Sequence, residues 1–267
     1  MRFQPQHVDD PDDPRVADFF ALNDPERRRA VERSGGFFVA EGVLVIRQLL
    51  QSPYPVRAVL ATPQGLAALG DVDAPVFTAS QALMTTIAGF HFHRGALASA
   101  DRRPQPDLEE ALAGAGLVLM AEGVTDNENL GALFRNAGAL GARAVVLDGT
   151  TADPLYRRSV RVSMGQVLRL PFTRVADAVE GIRRLQALGY EVLALTPATG
   201  AEDIRSVAPD SPGRRRALLV GAEGPGLTLG AITAADRRVR IAMTAGVDSL
   251  NVATAAAVAL HHLAARG

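Results

Sequence analysis

The second half of the chain alternates short unbroken apolar runs with longer amphipathic stretches. LVLMAEG (117–123), ARAVVLDG (142–149), YEVLALT (190–196) and RALLVGAEG (216–224) are rich in Val and Leu and stop at glycine or a polar residue. They read as strands buried on both faces. Between and after them, NLGALFRNAGALG (129–141), DPLYRRSVRVSMG (153–165), AVEGIRRLQALG (178–189) and the closing SLNVATAAAVALHHLAARG (249–267) read as helices, and RVRIAM (238–243) as a further short strand. The pattern predicts an α/β fold with a mostly parallel sheet and helices on both faces. In such sheets a ligand sits at the carboxyl ends of the strands, where the loops gather.

The first half carries a shorter version of the same alternation. FFVAEG (37–42) and VRAVLAT (56–62) read as strands with helical GVLVIRQLLQ (42–51) between them, and PVFTAS leads into helical QALMTTIAGF (81–90). DPERRRAVERSGG (24–36) reads as an exposed helix with an Asp cap and a Gly-Gly stop. DRRPQPDLEE, with two prolines and a charge cluster, separates the halves. The expected division is a small α/β domain over 1–103, a linker over 104–110 and a larger domain over 111–267.

Composition narrows the chemistry. The 267 residues are 48% hydrophobic and 21% charged, as in a globular protein. No repeat recurs at a fixed period. The absence of Cys removes disulfides, thiolate metal sites and thiol nucleophiles, and suits a reducing compartment. The polar, acidic opening MRFQPQHVDDPDDPR is unlike a signal or transit peptide, and the most apolar run, LNVATAAAVALHHLAA, is too interrupted to span a bilayer. A cytoplasmic protein is expected. The net charge of -1 is made from 28 basic residues that are all Arg. A GC-rich genome is the simplest cause. Arg nonetheless brings forked donors that match phosphate oxygens, and nucleic-acid binding depends on a local patch rather than on the total.

Three loops of the second half carry unusual polar residues. In NENLGALFRNAGALG, Asn129 stands at a helix start, where it could serve as a cap, and Gly131 and Arg135 lie one turn apart. In ALLVGAEGPGLTLGAI, three glycines and a proline follow a buried strand. That spacing fits neither a dinucleotide fingerprint nor a P-loop, and Glu223 inside the turn would repel a pyrophosphate. The turn therefore suits a neutral or cationic ligand. In RVRIAMTAGVDSLNVATAAAVAL, a polar SLN precedes an Ala-rich helix that Ser249 could cap.

Together and in this order, the loops resemble the three signature motifs of the SpoU (TrmH-like) branch of the SPOUT RNA methyltransferases. The first is Asn129, Gly131 and Arg135. The second is Gly221, Glu223, Gly224 and Gly226, with Asp236 and the apolar strand from Ile241. The third is Ser249 to Val252. The resemblance runs from Leu117 to the end of the chain. FFVAEGVLVIRQLL resembles, less closely, the start of the small ribosomal-protein-like (L30e-like) RNA-binding domain that precedes many of these enzymes.

The resemblance implies a deep trefoil knot, a homodimer through the carboxyl-terminal domain, S-adenosylmethionine as methyl donor, and a ribose 2′-hydroxyl of structured RNA as acceptor. Ribosomal RNA, 23S in particular, is favoured over tRNA. It implies cofactor contacts by Val220, Gly221, Glu223, Gly224, Gly226, Ile241, Met243, Ser249 and Leu250. Asn129, Arg135, Glu223, Ser249 and Asn251 would form the catalytic set. No metal and no membrane are called for. Arginine keeps its proton to above about pH 12, so a role for Arg135 in gripping phosphate and stabilising a developing alkoxide is cheaper than one as base. RNA contacts are expected from Arg28, Arg94, Arg135 and Arg158, with Arg27, Arg29, Arg157, Arg161 and Arg214–Arg216 as further candidates in their clusters. FHFHRG (90–95) offers rings beside Arg94 for stacking on unpaired bases. His261 and His262 are adjacent on a helix and are expected at the surface. Two other readings are a non-catalytic RNA-binding protein of this fold and a nucleotide-dependent oxidoreductase of doubly wound fold.

Overall fold

The computed structural model of the protein describes residues 4–24, 26, 36–208, 213–244 and 248–264. The chain divides into two compact units. Unit 1 takes residues 1–104 together with Leu155–Arg169, and unit 2 takes the remainder. A single cut in the proline-rich linker accounts for all of this except the segment Leu155–Arg169. The helix read over 24–36 lies almost wholly outside the described residues.

Unit 1 contains β1 (Gln6–His7), β2 (Phe37–Glu41), α1 (Val43–Leu50), β3 (Val56–Ala61), α2 (Pro63–Leu69), β4 (Val76–Thr78), α3 (Gln81–Ala88) and β5 (Ala96–Asp101). Its sheet runs β1-β4-β3-β5-β2, parallel at β1/β4 and β3/β4 and antiparallel where β5 pairs with β3 and with β2. The local sequence starts its helices cleanly. The Thr62 and Ser80 hydroxyls accept from the N–H of Gly65 and Leu83, and Gly89 ends α3 in the left-handed conformation. Phe19, Leu60, Phe77, Met84, Ile87 and Phe92 form the core. The sequence pattern passes over β5, whose ALASAD is poor in β-formers. Pairing on both sides makes it a strand.

Unit 2 contains α4 (Leu108–Ala111), β6 (Leu117–Glu122), α5 (Asn127–Ala139) and β7 (Ala144–Leu147). After α6 (Arg157–Val162), which belongs to unit 1, follow β8 (Phe172–Arg174), α7 (Ala178–Ala187), β9 (Glu191–Leu195), β10 (Glu202–Asp203), β11 (Arg216–Gly221), α8 (Leu229–Ala234), β12 (Arg237–Arg240) and α9 (Val252–Leu263). The seven strands are all parallel, in the order β10-β12-β9-β11-β6-β7-β8. β6 and β11 are buried along their whole length and pair residue for residue from Leu117↔Arg216 to Glu122↔Gly221. The loops that leave these two strands therefore start side by side. The α5 and α9 helices pack together, and the Asn136 amide donates to Ala253 O at 2.8 Å.

Several expectations shift by a few residues. The strand read over 238–243 ends at Arg240, and Ile241–Thr244 is irregular. The helix read over 153–165 shrinks to α6, because Met164 (φ 53°) and Gly165 (φ 81°) turn the chain away. Asn129 does not cap α5. Asp126 does, accepting from the N–H of Glu128 and Asn129 at 2.9 and 2.8 Å. Likewise Asn251, rather than Ser249, caps α9.

Candidate functional site

The site begins where β11 ends. Gly221 has no room for a side chain, since a Cβ there would stand 2.3 Å from the carbonyl carbon of Gly226. The loop folds back on itself through Gly226 N–H donating to Ala222 O at 3.0 Å. Gly224 (φ 92°) and Gly226 (φ 70°) lie in the left-handed region that glycine enters without strain. The reason for glycine at 221 is thus the loop's own backbone.

The far end of the loop is fastened by Glu122, the last residue of β6. Its buried carboxylate accepts from Thr228 N–H at 2.9 Å and from Thr228 Oγ1 at 2.7 Å. Thr228 in turn caps α8 by accepting from Ala231 N–H. Both bonds to Glu122 are charge-assisted, about twice as strong as neutral ones.

Two further segments complete the walls. Leu195–Pro197 leaves β9, and Ile241 and Met243 follow β12. With Ser249–Val252 and the glycine loop they enclose a cavity of 410 Å³. Asp236 sets the entry to β12, accepting from Val192 N–H at 2.7 Å and from the Gln186 amide at 3.0 Å. Val220, Gly221, Glu223, Gly224, Gly226, Ile241, Met243, Ser249 and Leu250 all lie on this one cavity, and Asn251 joins them. Among the described lining residues, Glu223 is the single ionisable one. A cavity of this size holds a nucleoside-sized ligand, and its one carboxylate favours a cation.

The three polar loops meet in a hydrogen-bonded chain. Asn129 Nδ2 donates to Glu223 Oε2 at 2.8 Å, and Asn251 Nδ2 donates to Asn129 Oδ1 at 2.7 Å. The other end of the Asn251 amide accepts from the N–H of Ala253 and Thr254 as the helix cap. One side chain thus starts α9 and positions Asn129. Asn136, one helical repeat along from Asn129, serves α5–α9 packing rather than a ligand. Arg135 stands apart. It is exposed, it does not line the cavity, and among the described residues it has no hydrogen-bond or ion-pair partner.

A second carboxylate shapes the approach to α5. Asp148, buried at the end of β7, accepts from Gly123 N–H (3.0 Å), Thr151 N–H (2.9 Å), Thr151 Oγ1 (2.6 Å) and Thr150 Oγ1 (2.5 Å). Burial alone would raise its pKa; the hydrogen bonds from Thr150, Thr151 and Gly123 outweigh burial and hold it below the usual carboxylate range. Arg174 donates to the carbonyls of Asp148, Thr151 and Ala152 and closes the same turn. Sequence reasoning missed Glu122, Thr228 and Asp148. Its one available signal was a carboxylate ending a strand buried on both faces, a group that must find donors.

The expected RNA contacts scatter. Arg28 lies outside the described residues. Arg94 and Arg158 are exposed, whereas Arg216, within the Arg214–Arg216 run, is fully buried against Glu191. Phe92 is a core residue and Phe90 lies partly buried beneath the Arg157 guanidinium, so the FHFHRG rings open to solvent are His91 and His93. His262 is half-buried and its Nε2 lies 2.8 Å from Val207 O, which corrects its placement at the surface.

An all-parallel α/β sheet, with a cavity at its strand ends walled by a glycine loop and a single carboxylate, defines a small-molecule-binding domain of the kind enzymes use for nucleoside-like ligands. Residues 116–261 match the model of the SpoU rRNA Methylase family, and the chain belongs to that family of RNA methyltransferases. A Mycobacterium tuberculosis protein called an uncharacterized tRNA/rRNA methyltransferase is 47% identical over 260 residues, covering 96% of this chain and 90% of its own. The Vibrio vulnificus 23S rRNA (guanosine-2′-O-)-methyltransferase RlmB is 31% identical over 173 residues, 63% of this chain and 68% of its own. Among solved structures, an AdoMet-bound rRNA methyltransferase from Sinorhizobium meliloti superposes with a TM-score of 0.79 at 28% identity, over 97% of each chain.

Proposed function

We propose that this chain transfers a methyl group from S-adenosylmethionine to a ribose 2′-hydroxyl of structured RNA, with 23S ribosomal RNA as the favoured substrate and tRNA second. The observation that carries the reading is the chain Asn251–Asn129–Glu223 on the rim of a cavity whose described lining residues include one carboxylate and no cationic side chain. The chemistry of that wall fits the cofactor: a sulfonium cation is welcome beside Glu223, and a triphosphate is not. The bound cofactor supplies an electrophilic methyl group.

The chain's own residues do the rest. The glycine loop would admit the nucleoside moiety against backbone, and the backbone around Ile241, Met243 and Leu250 would hold its adenine. Asn129 and Asn251 fix the Glu223 carboxylate. Arg135, which has no hydrogen-bond or ion-pair partner among the described residues, acts as a charge, pairing with an RNA phosphate and with the 2′-oxygen as negative charge builds there, while the hydroxyl proton leaves to water. Because Arg135 lies off the cavity lining, we place it beside the cavity of a second copy, which makes the working enzyme a homodimer. The relatives' names and the 2′-O activity of the RlmB match support the substrate assignment. Unit 1, with its mixed five-stranded sheet, is read as the L30e-like RNA-binding domain. The knot is supported by the path of the chain: β12 lies beyond β9, and α9 then returns to pack on α5 and β11.

The test is transfer of radiolabelled methyl from S-adenosylmethionine to purified rRNA and, separately, to tRNA. Label is expected in rRNA at a linkage that resists alkali. Arg135→Ala is expected to slow transfer about 100- to 1,000-fold, the cost of losing one preorganised charge partner. Mixing Arg135→Ala with the cofactor-site variant Asn129→Ala should restore part of the activity through hybrid dimers. No label in either RNA together with no cofactor binding would defeat the enzymatic reading.

A further inference from the structure

Unit 1 holds a charged cluster, built on arginines expected near RNA, that the methyl-transfer step itself does not use. Glu41, the last residue of β2, has a side chain only 2% exposed, and three guanidinium groups converge on it. Arg94 Nε lies 3.1 Å from Oε1, Arg157 Nη1 lies 2.6 Å from Oε2, and Arg161 Nη1 lies 3.6 Å from Oε2. One well-placed arginine neutralises a buried carboxylate. Three leave the cluster at a net charge of +2, with like charges held close together.

The three arginines are not equivalent. Arg157 is used up within the fold. Its Nη2 donates to Asn23 Oδ1 at 2.9 Å, its guanidinium lies 4.6 Å from the centre of the Phe90 ring, and its side chain is 14% exposed. Arg94 and Arg161 keep 42% and 28% of their side chains open, and among the described residues neither guanidinium makes a further ion pair or hydrogen bond. They meet different oxygens of Glu41, Arg94 at Oε1 and Arg161 at Oε2, so each guanidinium keeps its remaining donors for an acceptor outside the protein. Exposed His91 and His93, stacked with ring centres 6.0 Å apart, stand just before Arg94 and offer flat faces to an unpaired base. Forked donors in pairs beside stacking rings match a nucleic-acid backbone better than a lone anion.

We propose that Arg94 and Arg161, splayed on the buried Glu41, form a two-point clamp for backbone phosphates of the RNA substrate, with Arg157 as the positioning residue. The proposal rests on the reading of this chain as an enzyme of structured RNA, and adds which residues of unit 1 hold the RNA. It also gives a reason for the division of the chain: α6 lies within Leu155–Arg169, and its grouping with unit 1 delivers Arg157 and Arg161 to Glu41.

The test uses the full chain and a fluorescently labelled hairpin RNA of fixed sequence, titrated at several salt concentrations. The Arg94→Gln/Arg161→Gln variant is expected to lose about tenfold in affinity, and its log–log salt slope should become shallower by about 1.5, the loss of two phosphate contacts. Arg94→Gln alone, at the most exposed of the three, should show about half of that slope change and covers the case in which the double variant fails to fold. Arg94→Lys/Arg161→Lys should keep most of the slope. S-adenosylmethionine affinity and the thermal midpoint should stay at wild-type values. Equal RNA affinity for wild type and variants would overturn the clamp while leaving the enzyme reading intact. A wild type that binds S-adenosylmethionine but no RNA would overturn the clamp and the RNA half of that reading together. Saturable displacement of the hairpin by inorganic phosphate at constant ionic strength, absent in the double variant, would reassign the cluster to a free anion and overturn the RNA assignment.

Discussion

In unit 1 a buried carboxylate, Glu41, is surrounded by three guanidinium groups; in unit 2 the exposed carboxylate of Glu223 takes, among the described residues, one side-chain hydrogen bond, from the neutral amide of Asn129. The first arrangement leaves an excess of positive charge. Its influence extends about 10 Å at 0.1 M salt and fades as salt rises. The second is directional and short in range, with a net negative charge at its centre. A charged cluster can draw in a large polyanion but cannot fix it to a fraction of an ångström. An amide chain anchored at a helix cap can orient a small ligand but exerts no pull at a distance. The difference between the units is therefore one between attraction and alignment, and substitutions can separate the two.

The largest separation is expected from Gly221→Ala. A methyl group there meets backbone at 2.3 Å, so the glycine loop must move. Affinity for S-adenosylmethionine should fall about 100-fold, equivalent to ~2.7 kcal/mol and within the usual cost of overpacking. Hairpin RNA binding, assigned mainly to unit 1 and to Arg135 off the cavity lining, should be unchanged. Calorimetry for the cofactor and anisotropy for the RNA read the two halves independently. If both fall together, the division between attraction and alignment is wrong.

A finer test turns on the charge of Glu223 itself. Glu223→Gln keeps an acceptor for Asn129 Nδ2 and removes the negative charge. Affinity for S-adenosylmethionine should drop about tenfold, the ~1.4 kcal/mol scale of one partly screened charge pair. Affinity for S-adenosylhomocysteine, which lacks the sulfonium charge, should change little. Equal losses for both ligands would mean that Glu223 contributes shape and hydrogen bonding rather than charge.

Legibility in the sequence follows the same line between local and distant. The buried strands β6, β9 and β11 stand out because their apolar runs need no partner to be recognised, and the ligand end of the sheet follows from the fold class. The choice among neighbouring cap residues does not. Asp126, Asn127 and Asn129 are all competent caps, as are Asn251 and Ser249; Asn129 is taken by Glu223 and Asn251 and leaves the cap of α5 to Asp126, whereas Asn251 caps α9 and reaches Asn129 with the same amide. Glu122 reaches Thr228 across 106 residues, and Glu41 meets Arg157 across 116. No local pattern encodes such pairings. For the same reason the DPLYRRSVRVSMG stretch reads as one more helix of the second half, although part of it completes the packing of the first.

The smallest expected effect concerns the third kind of carboxylate in the molecule, one satisfied wholly by neutral donors of its own loops. Asp148 takes four hydrogen bonds from Gly123, Thr150 and Thr151, and its folded pKa is depressed. The sign follows from linkage: a depressed carboxylate contributes stability above its unfolded pKa of about 3.9, and that contribution is lost as pH falls through the lower folded value. Asp148→Asn cannot ionise, so it lacks this dependence. The stability gap between wild type and Asp148→Asn, measured by urea unfolding, should therefore be widest above about pH 5 and narrow as the pH drops below about 4. A gap that stays constant across that range would mean the Asp148 charge adds nothing beyond the geometry of its acceptors. The turn that positions the start of α5 would then be held by shape alone, and the contrast with Glu41, whose arginines need the charge, would be sharper still.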